Sequence, residues 1–222
     1  MRHRLAALAL LAAPALAGAA GGHHAVDDAT ILDPGQCELE SWYGRARARE
    51  DVLHLGPNCR LGPVEVGVAA ERARGEGAYE TLAGAQLKWA TPLGDSAWRT
   101  GFSITPQWRH AGSTAYAGTT VMALLTWNAS EQWTAHANFG RDLVRGGPGA
   151  ARRGVSLEWA PHADWSFVAE RYQEQRTQLA RVGARWSVAP DWTVDFSRAQ
   201  RLHGPLPSTW TVGLTRAFER AR

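Results

Sequence analysis

Two imidazoles and two carboxylates fall within six residues, in His23-His24-Ala25-Val26-Asp27-Asp28. Such donors suit Zn, Cu or Ni, which makes His23, His24, Asp27 and Asp28 the candidate metal ligands. A chain beginning Gly21-Gly22-His23 could also chelate Cu(II) in a square plane through its amine, two amides and an imidazole. The other reading is a His-containing leader that holds no ligand. An acyl hydrolase would need a Ser activated by a nearby His. His136 is followed by Ala137 and Asn138, and His54 by Leu55 and Gly56, while His110 and Ser113 approach only in a loop. No Ser–His pair shares one strand face, so no catalytic residues and no cofactor are expected.

The segment ahead of these residues sets their compartment. Met1-Arg2-His3-Arg4 is basic, Leu5 to Leu16 is apolar, and small residues follow to Ala20. This is the pattern of a cleaved secretory signal over residues 1–20, too short to span a bilayer as a helix. Without Arg2 and Arg4 there remain 22 basic side chains against 21 acidic, so net charge gives no argument for nucleic acid. Two cysteines in an exported chain are expected to form one disulfide.

Residues 21–36 read as a polar periplasmic leader. From Cys37 onward the period is two. Trp98, Thr100, Phe102, Ile104, Pro106 and Trp108 alternate with Arg99, Gly101, Ser103, Thr105, Gln107 and Arg109. Pro106 suggests a bulge in that strand. The same alternation places twelve strands near 37–47, 51–60, 63–73, 80–91, 97–109, 117–129, 132–143, 152–160, 164–174, 178–188, 191–201 and 208–218. Short connections make this an all-β, antiparallel, up-and-down transmembrane barrel over residues 37–218, with 219–222 as a short extension.

Four features choose a membrane barrel over a soluble sandwich. Trp89, Trp98, Trp127, Trp133, Trp159, Trp165, Trp186 and Trp192 flank turns at one strand end, as an interfacial girdle does. The opposite ends are rich in Arg. The apolar faces carry no charge at their middles, and the arginines of apolar parity (Arg141, Arg153, Arg171, Arg198) lie toward strand ends. The final strand alternates from Trp210 to Phe218, resembling the insertion signal read by the barrel assembly machinery, although four residues follow the Phe. The Trp-flanked turns are expected to face the periplasm. The Arg-rich ends would face the outside, where lipopolysaccharide and other outer-membrane lipids offer phosphates.

Inward parity falls on Glu38, Glu40, Glu65, Glu71, Lys88, Arg99, Arg109, His136, Glu158, Glu170, Arg181, Arg185 and Asp195, a polar lumen whose charges must pair. Pairing the first two strands about Ala48 sets Leu39 opposite Pro57 and Tyr43 opposite Leu53, and in that register Cys37 meets Cys59 on one face.

His23-His24-Ala25-Val26-Asp27-Asp28-Ala29, followed by Gly35-Gln36-Cys37-Glu38-Leu39-Glu40, resembles the opening of a group of exported proteobacterial barrels. These are grouped loosely as transporter-like, or with a phenol-degradation pathway. The resemblance implies an address in the outer membrane of a Gram-negative bacterium more than a particular task. Three readings stand: a small channel or transporter for a small polar solute, a structural or lipid-binding barrel, and an outer-membrane lipid hydrolase.

Overall fold

The computed structural model describes residues 23–47, 50–75 and 78–219. The signal segment 1–20, Gly21-Gly22 and residues 220–222 lie outside the described residues. Twelve strands follow in chain order: β1 (Gln36–Arg47), β2 (Glu50–Leu61), β3 (Val64–Gly75), β4 (Ala78–Pro92), β5 (Trp98–Ala111) and β6 (Ser113–Asn128). The remainder are β7 (Trp133–Val144), β8 (Ala150–His162), β9 (Trp165–Glu174), β10 (Thr177–Ala189), β11 (Trp192–His203) and β12 (Thr209–Glu219). Each pairs antiparallel with its sequence neighbours, and β1 pairs with β12 to close the barrel.

The alternation read from the sequence becomes an inside and an outside. Phe102, Phe139, Val155, Val182 and Phe196 are exposed on the outer wall, whereas Ser103, Glu158, Arg181 and Asp195 on the opposite parity are buried. A soluble core would reverse this. Of the eight turn-flanking tryptophans seven are exposed on the outer wall at one end and Trp192 is half-buried, and neighbours stack: Trp98 on Trp127, Trp133 on Trp159, Trp165 on Trp186. At the other end Tyr43, Tyr79, Trp108, Tyr116 and Trp210 make a second outward aromatic row. Trp98 and Trp108 lie ten residues apart on β5, so a strand tilted by about 40° separates the rows by roughly 25 Å, the height of a membrane barrel's apolar band.

The irregularity expected at Pro106 falls one strand over. Gln107 pairs with Gly118 and Trp108 with Tyr116, so Ala117 on β6 is the extra residue. Pro106 itself stays in register with Thr119. β6 also begins at Ser113, four residues before the expected start, because β5 and β6 continue past the apolar band to a turn at Gly112. Beyond the bilayer neither face needs to be apolar, and the period of two fades.

Cys37 pairs directly with Cys59 and the two form a disulfide, their Cα atoms 4.1 Å apart. Leu39↔Pro57, Ser41↔Leu55 and Tyr43↔Leu53 follow the expected register. The bond closes a sequence separation of 22 residues on the strand that seals the barrel, worth ~3 kcal/mol in the chain-entropy account. Thiol titration of the unreduced, denatured protein should find no free thiol. Cys37→Ser/Cys59→Ser should lower the unfolding free energy in urea by about that amount. An unchanged unfolding midpoint would mean that pairing alone fixes β1.

Candidate functional site

Ring closure leaves the inward charges no water-filled exterior to turn to, so they must find partners within the lumen, and along the wall these stand on neighbouring strands. Arg185 Nε lies 2.8 Å from Asp195 Oδ1, and Arg181 Nη1 3.3 Å from Glu170 Oε2. Arg152 bridges Asp142 at 2.9 Å and Glu174 at 3.1 Å, and His136 lies 3.9 Å from Glu158. Arg109, expected in the lumen, stands at the far rim with its side chain 58% exposed and pairs with Glu80 at 3.1 Å. Glu71 lies 3.2 Å from His54.

Lys88, the chain's one lysine, pairs with the leader: Nζ lies 2.8 Å from Asp27 and 3.1 Å from Asp28. The leader, placed by the sequence reading on the periplasmic side, runs inside the barrel. Among the described residues its backbone has no strand partner, and wall side chains meet it instead. Glu170 accepts from Val26 N at 2.9 Å, Asn138 from Asp27 N at 2.6 Å, and Thr126 Oγ1 from Ala29 N at 2.8 Å. Glu65 accepts from Leu32 N at 3.0 Å. In the other direction, Arg60 donates to the Leu32 carbonyl at 3.0 Å, Arg99 to that of Ala29 at 3.3 Å, and Arg181 to that of His23.

The wall is shaped for this segment. A Cβ at Gly154 would stand 2.6 Å from the Val26 side chain, one at Gly213 3.1 Å from the His23 ring, and one at Gly183 3.3 Å from the His24 ring. Val26 and Ala29 are fully buried; Val26 packs with Tyr172, Leu179 and Ala199, and Ala29 with Met122 and Leu124. Beside the leader remains a cavity of about 260 Å³, whose lining includes Glu38, Glu40, Glu65, Lys88, Gln107 and Arg152.

The structure does not bring the four candidate metal ligands together. Asp27 and Asp28 turn to Lys88, whereas His24 lies between Glu170 at 3.6 Å and Asp195 at 3.8 Å. Among the described residues no group of three or more His, Cys, Asp or Glu is arranged to hold a metal. The cause of this arrangement is electrostatic: fixed wall charges draw the leader side chains to different partners. The Gly21-Gly22 half of the Cu(II) motif lies outside the described residues.

One Ser–His pair does form, where no single strand could show it. Ser197 Oγ lies 2.6 Å from His23 Nε2, with His24 stacked 4.8 Å from His23. Burial, reinforced by the His24 ring, lowers His23 from 6.5 to about 3, far from the operating range of a general base. Its Nδ1 has no hydrogen-bond partner among the described residues, so no third group orients the ring as in a Ser–His–Asp triad. The contact anchors the leader. His24 titrates the other way: burial opposes its charge, yet the Glu170 and Asp195 carboxylates on either side of the ring raise it above its ordinary value.

Replacing Lys88 with Gln would leave Asp27 and Asp28 in the lumen without their cation, a loss of about 3–5 kcal/mol for a buried pair broken on one side. Lys88→Gln should therefore expose the leader to an Asp-directed protease at a rate at least tenfold above wild type, while the barrel stays heat-modifiable on a gel. Equal cleavage rates would show that Lys88 does not hold the leader.

The fold is that of known porins. The KdgM porin in complex with disordered oligogalacturonate superposes with a TM-score of 0.67 at 8% identity, covering 82% of this chain and 99% of that one. The NanC porin does so at 0.60 and 10%, covering 83% and 100%. Outer membrane phospholipase A from Escherichia coli is more distant, at 0.50 and 8%, covering 83% and 90%. At such identities the likeness is one of fold. No curated protein matches the sequence significantly. A family model described as uncharacterised conserved protein UCP029691 matches residues 7–218, and the chain belongs to that family.

Proposed function

We propose that this protein is a small outer-membrane channel whose lumen is closed by its own N-terminal leader and passes a small polar solute when the leader moves. The observation that carries the reading is how the leader is held. Its described bonds to the wall run through side chains and ion pairs rather than a β-ladder, so it can leave without breaking the barrel. The polar cavity beside it gives a solute somewhere to begin.

The cavity wall bears on the class of solute. Glu38, Glu40 and Glu65 reach it from β1 and β3, against Lys88 and Arg152, and Lys88 already serves Asp27 and Asp28. The KdgM complex holds a galacturonate oligomer; here the cavity's two cations are already paired, Lys88 with Asp27 and Asp28 and Arg152 with Asp142 and Glu174, which leaves such a polyanion little to bind. A volume near 260 Å³ lies below the usual range of drug-sized pockets. A small neutral or cationic solute fits both constraints. The likeness of the leader and first strand to transporter-like barrels points the same way, and the alternation of the final strand up to Phe218 suits the assembly machinery of the outer membrane.

One observation favours the structural-barrel reading: the leader fills the side of the lumen bounded by β8–β12 with tight contacts at Gly154, Gly183 and Gly213. Planar-bilayer recordings separate the two. The full chain should show small, infrequent openings, and a variant lacking residues 23–35 should show a steady, ohmic and several-fold larger conductance. Silence from both, with the deletion variant still heat-modifiable, would favour a barrel without a pore.

A further inference from the structure

The lipid-facing wall should carry apolar side chains, because an Arg there costs roughly 2–4 kcal/mol at the midplane and less toward the interface. On β8 and β9 two arginines nevertheless face outward. Arg153 is opposite Phe139 on β7 and Gln173 on β9; Arg171 is opposite Val155 on β8 and Ala180 on β10. Each sits six residues from its strand's girdle tryptophan, Trp159 or Trp165, which places both toward the Arg-rich end. They are diagonal neighbours across β8 and β9, with Cβ atoms about 7–8 Å apart.

Two like charges at that spacing, on a wall of low dielectric, repel each other unless an anion lies between them. Among the described residues neither pairs with a carboxylate. Instead Arg153 Nη2 donates to Gln173 Oε1 at 3.2 Å, and Arg171 Nη2 to Gln178 Oε1 at 3.1 Å. Arginines seeking water alone would extend separately toward the interface. These are tied sideways to the sheet by neutral acceptors and keep their charge. They flank an outer crevice of about 340 Å³ lined by Phe139, Arg153, Val155, Arg171, Gln173 and Gln178. Toward the girdle the wall turns wholly apolar, with Val155, Leu157 and Phe167 exposed.

We propose that Arg153 and Arg171 form a binding site for the phosphate of a phosphorylated membrane glycolipid, whose acyl chains lie on Phe139, Val155 and Phe167. Two guanidinium forks suit a phosphate that accepts from both. The apolar strip beneath distinguishes a lipid from a free anion. With the Arg-rich end outward, the glycolipid is that of the outer leaflet. The site stands on the outer wall and is independent of whether the lumen conducts.

Native mass spectrometry of the refolded, full-length mature protein tests this, with diphosphorylated lipid A, dephosphorylated lipid A and inorganic phosphate as probes. Wild type should retain diphosphorylated lipid A, and Arg153→Gln/Arg171→Gln should lose roughly tenfold or more in affinity. Dephosphorylated lipid A should bind wild type no better than the variant binds lipid A, and inorganic phosphate should not compete. Arg153→Lys/Arg171→Lys, which keeps the charge without the fork, should fall between and serves if the Gln variant does not fold. Equal lipid A affinity in wild type and either double variant would overturn the site. Competition by inorganic phosphate alone would overturn the lipid as its occupant.

Discussion

Inside a bilayer no water is available to an unpaired backbone N–H or carbonyl, and everything else in this protein follows from that restriction. A sheet can meet it only by closing on itself. The pairing of β1 with β12, from Gln36↔Glu219 to Arg45↔Trp210, is where closure happens. Closure in turn divides the side chains into two populations with opposite requirements. Those facing lipid must be apolar or lie near the interface, and those facing inward are cut off from bulk water while still carrying charge.

The inward population explains the leader. Along β3 and β4 the lumen wall sets Glu65 beside Lys88, and around β9–β11 it pairs arginines with Glu170 and Asp195. A chain carrying His23, His24, Asp27 and Asp28 can enter such a field with each charge opposite a partner. Its own amides are met by Glu170, Asn138 and Thr126. The glycines on β8, β10 and β12 leave the room. Leader and wall are therefore one electrostatic and steric system.

The elements legible in the sequence were those governed by local pattern. A period of two located all twelve strands, the turn-flanking tryptophans located one outward aromatic row, and the parity of Cys37 and Cys59 about Ala48 located the bond between them. What was not legible depends on pairs distant in sequence. Lys88 and Asp27 are separated by 61 positions and His23 and Ser197 by 174, and no strand periodicity relates them. Gly154, Gly183 and Gly213 read as ordinary strand residues until Val26, His24 and His23 are seen against them. The second aromatic row had a signal that was available: Tyr79 and Trp108 sit ten residues from Trp89 and Trp98 on their own strands, one bilayer height away.

Occupancy of the lumen by the leader is read directly by amide hydrogen exchange in the refolded, full-length mature protein. Val26 N and Ala29 N bond to Glu170 and Thr126 inside the barrel. Both amides should exchange orders of magnitude more slowly than a free chain and as slowly as neighbouring strand amides. Exchange of Val26 and Ala29 at the free-chain rate, with the strands protected, would contradict the account.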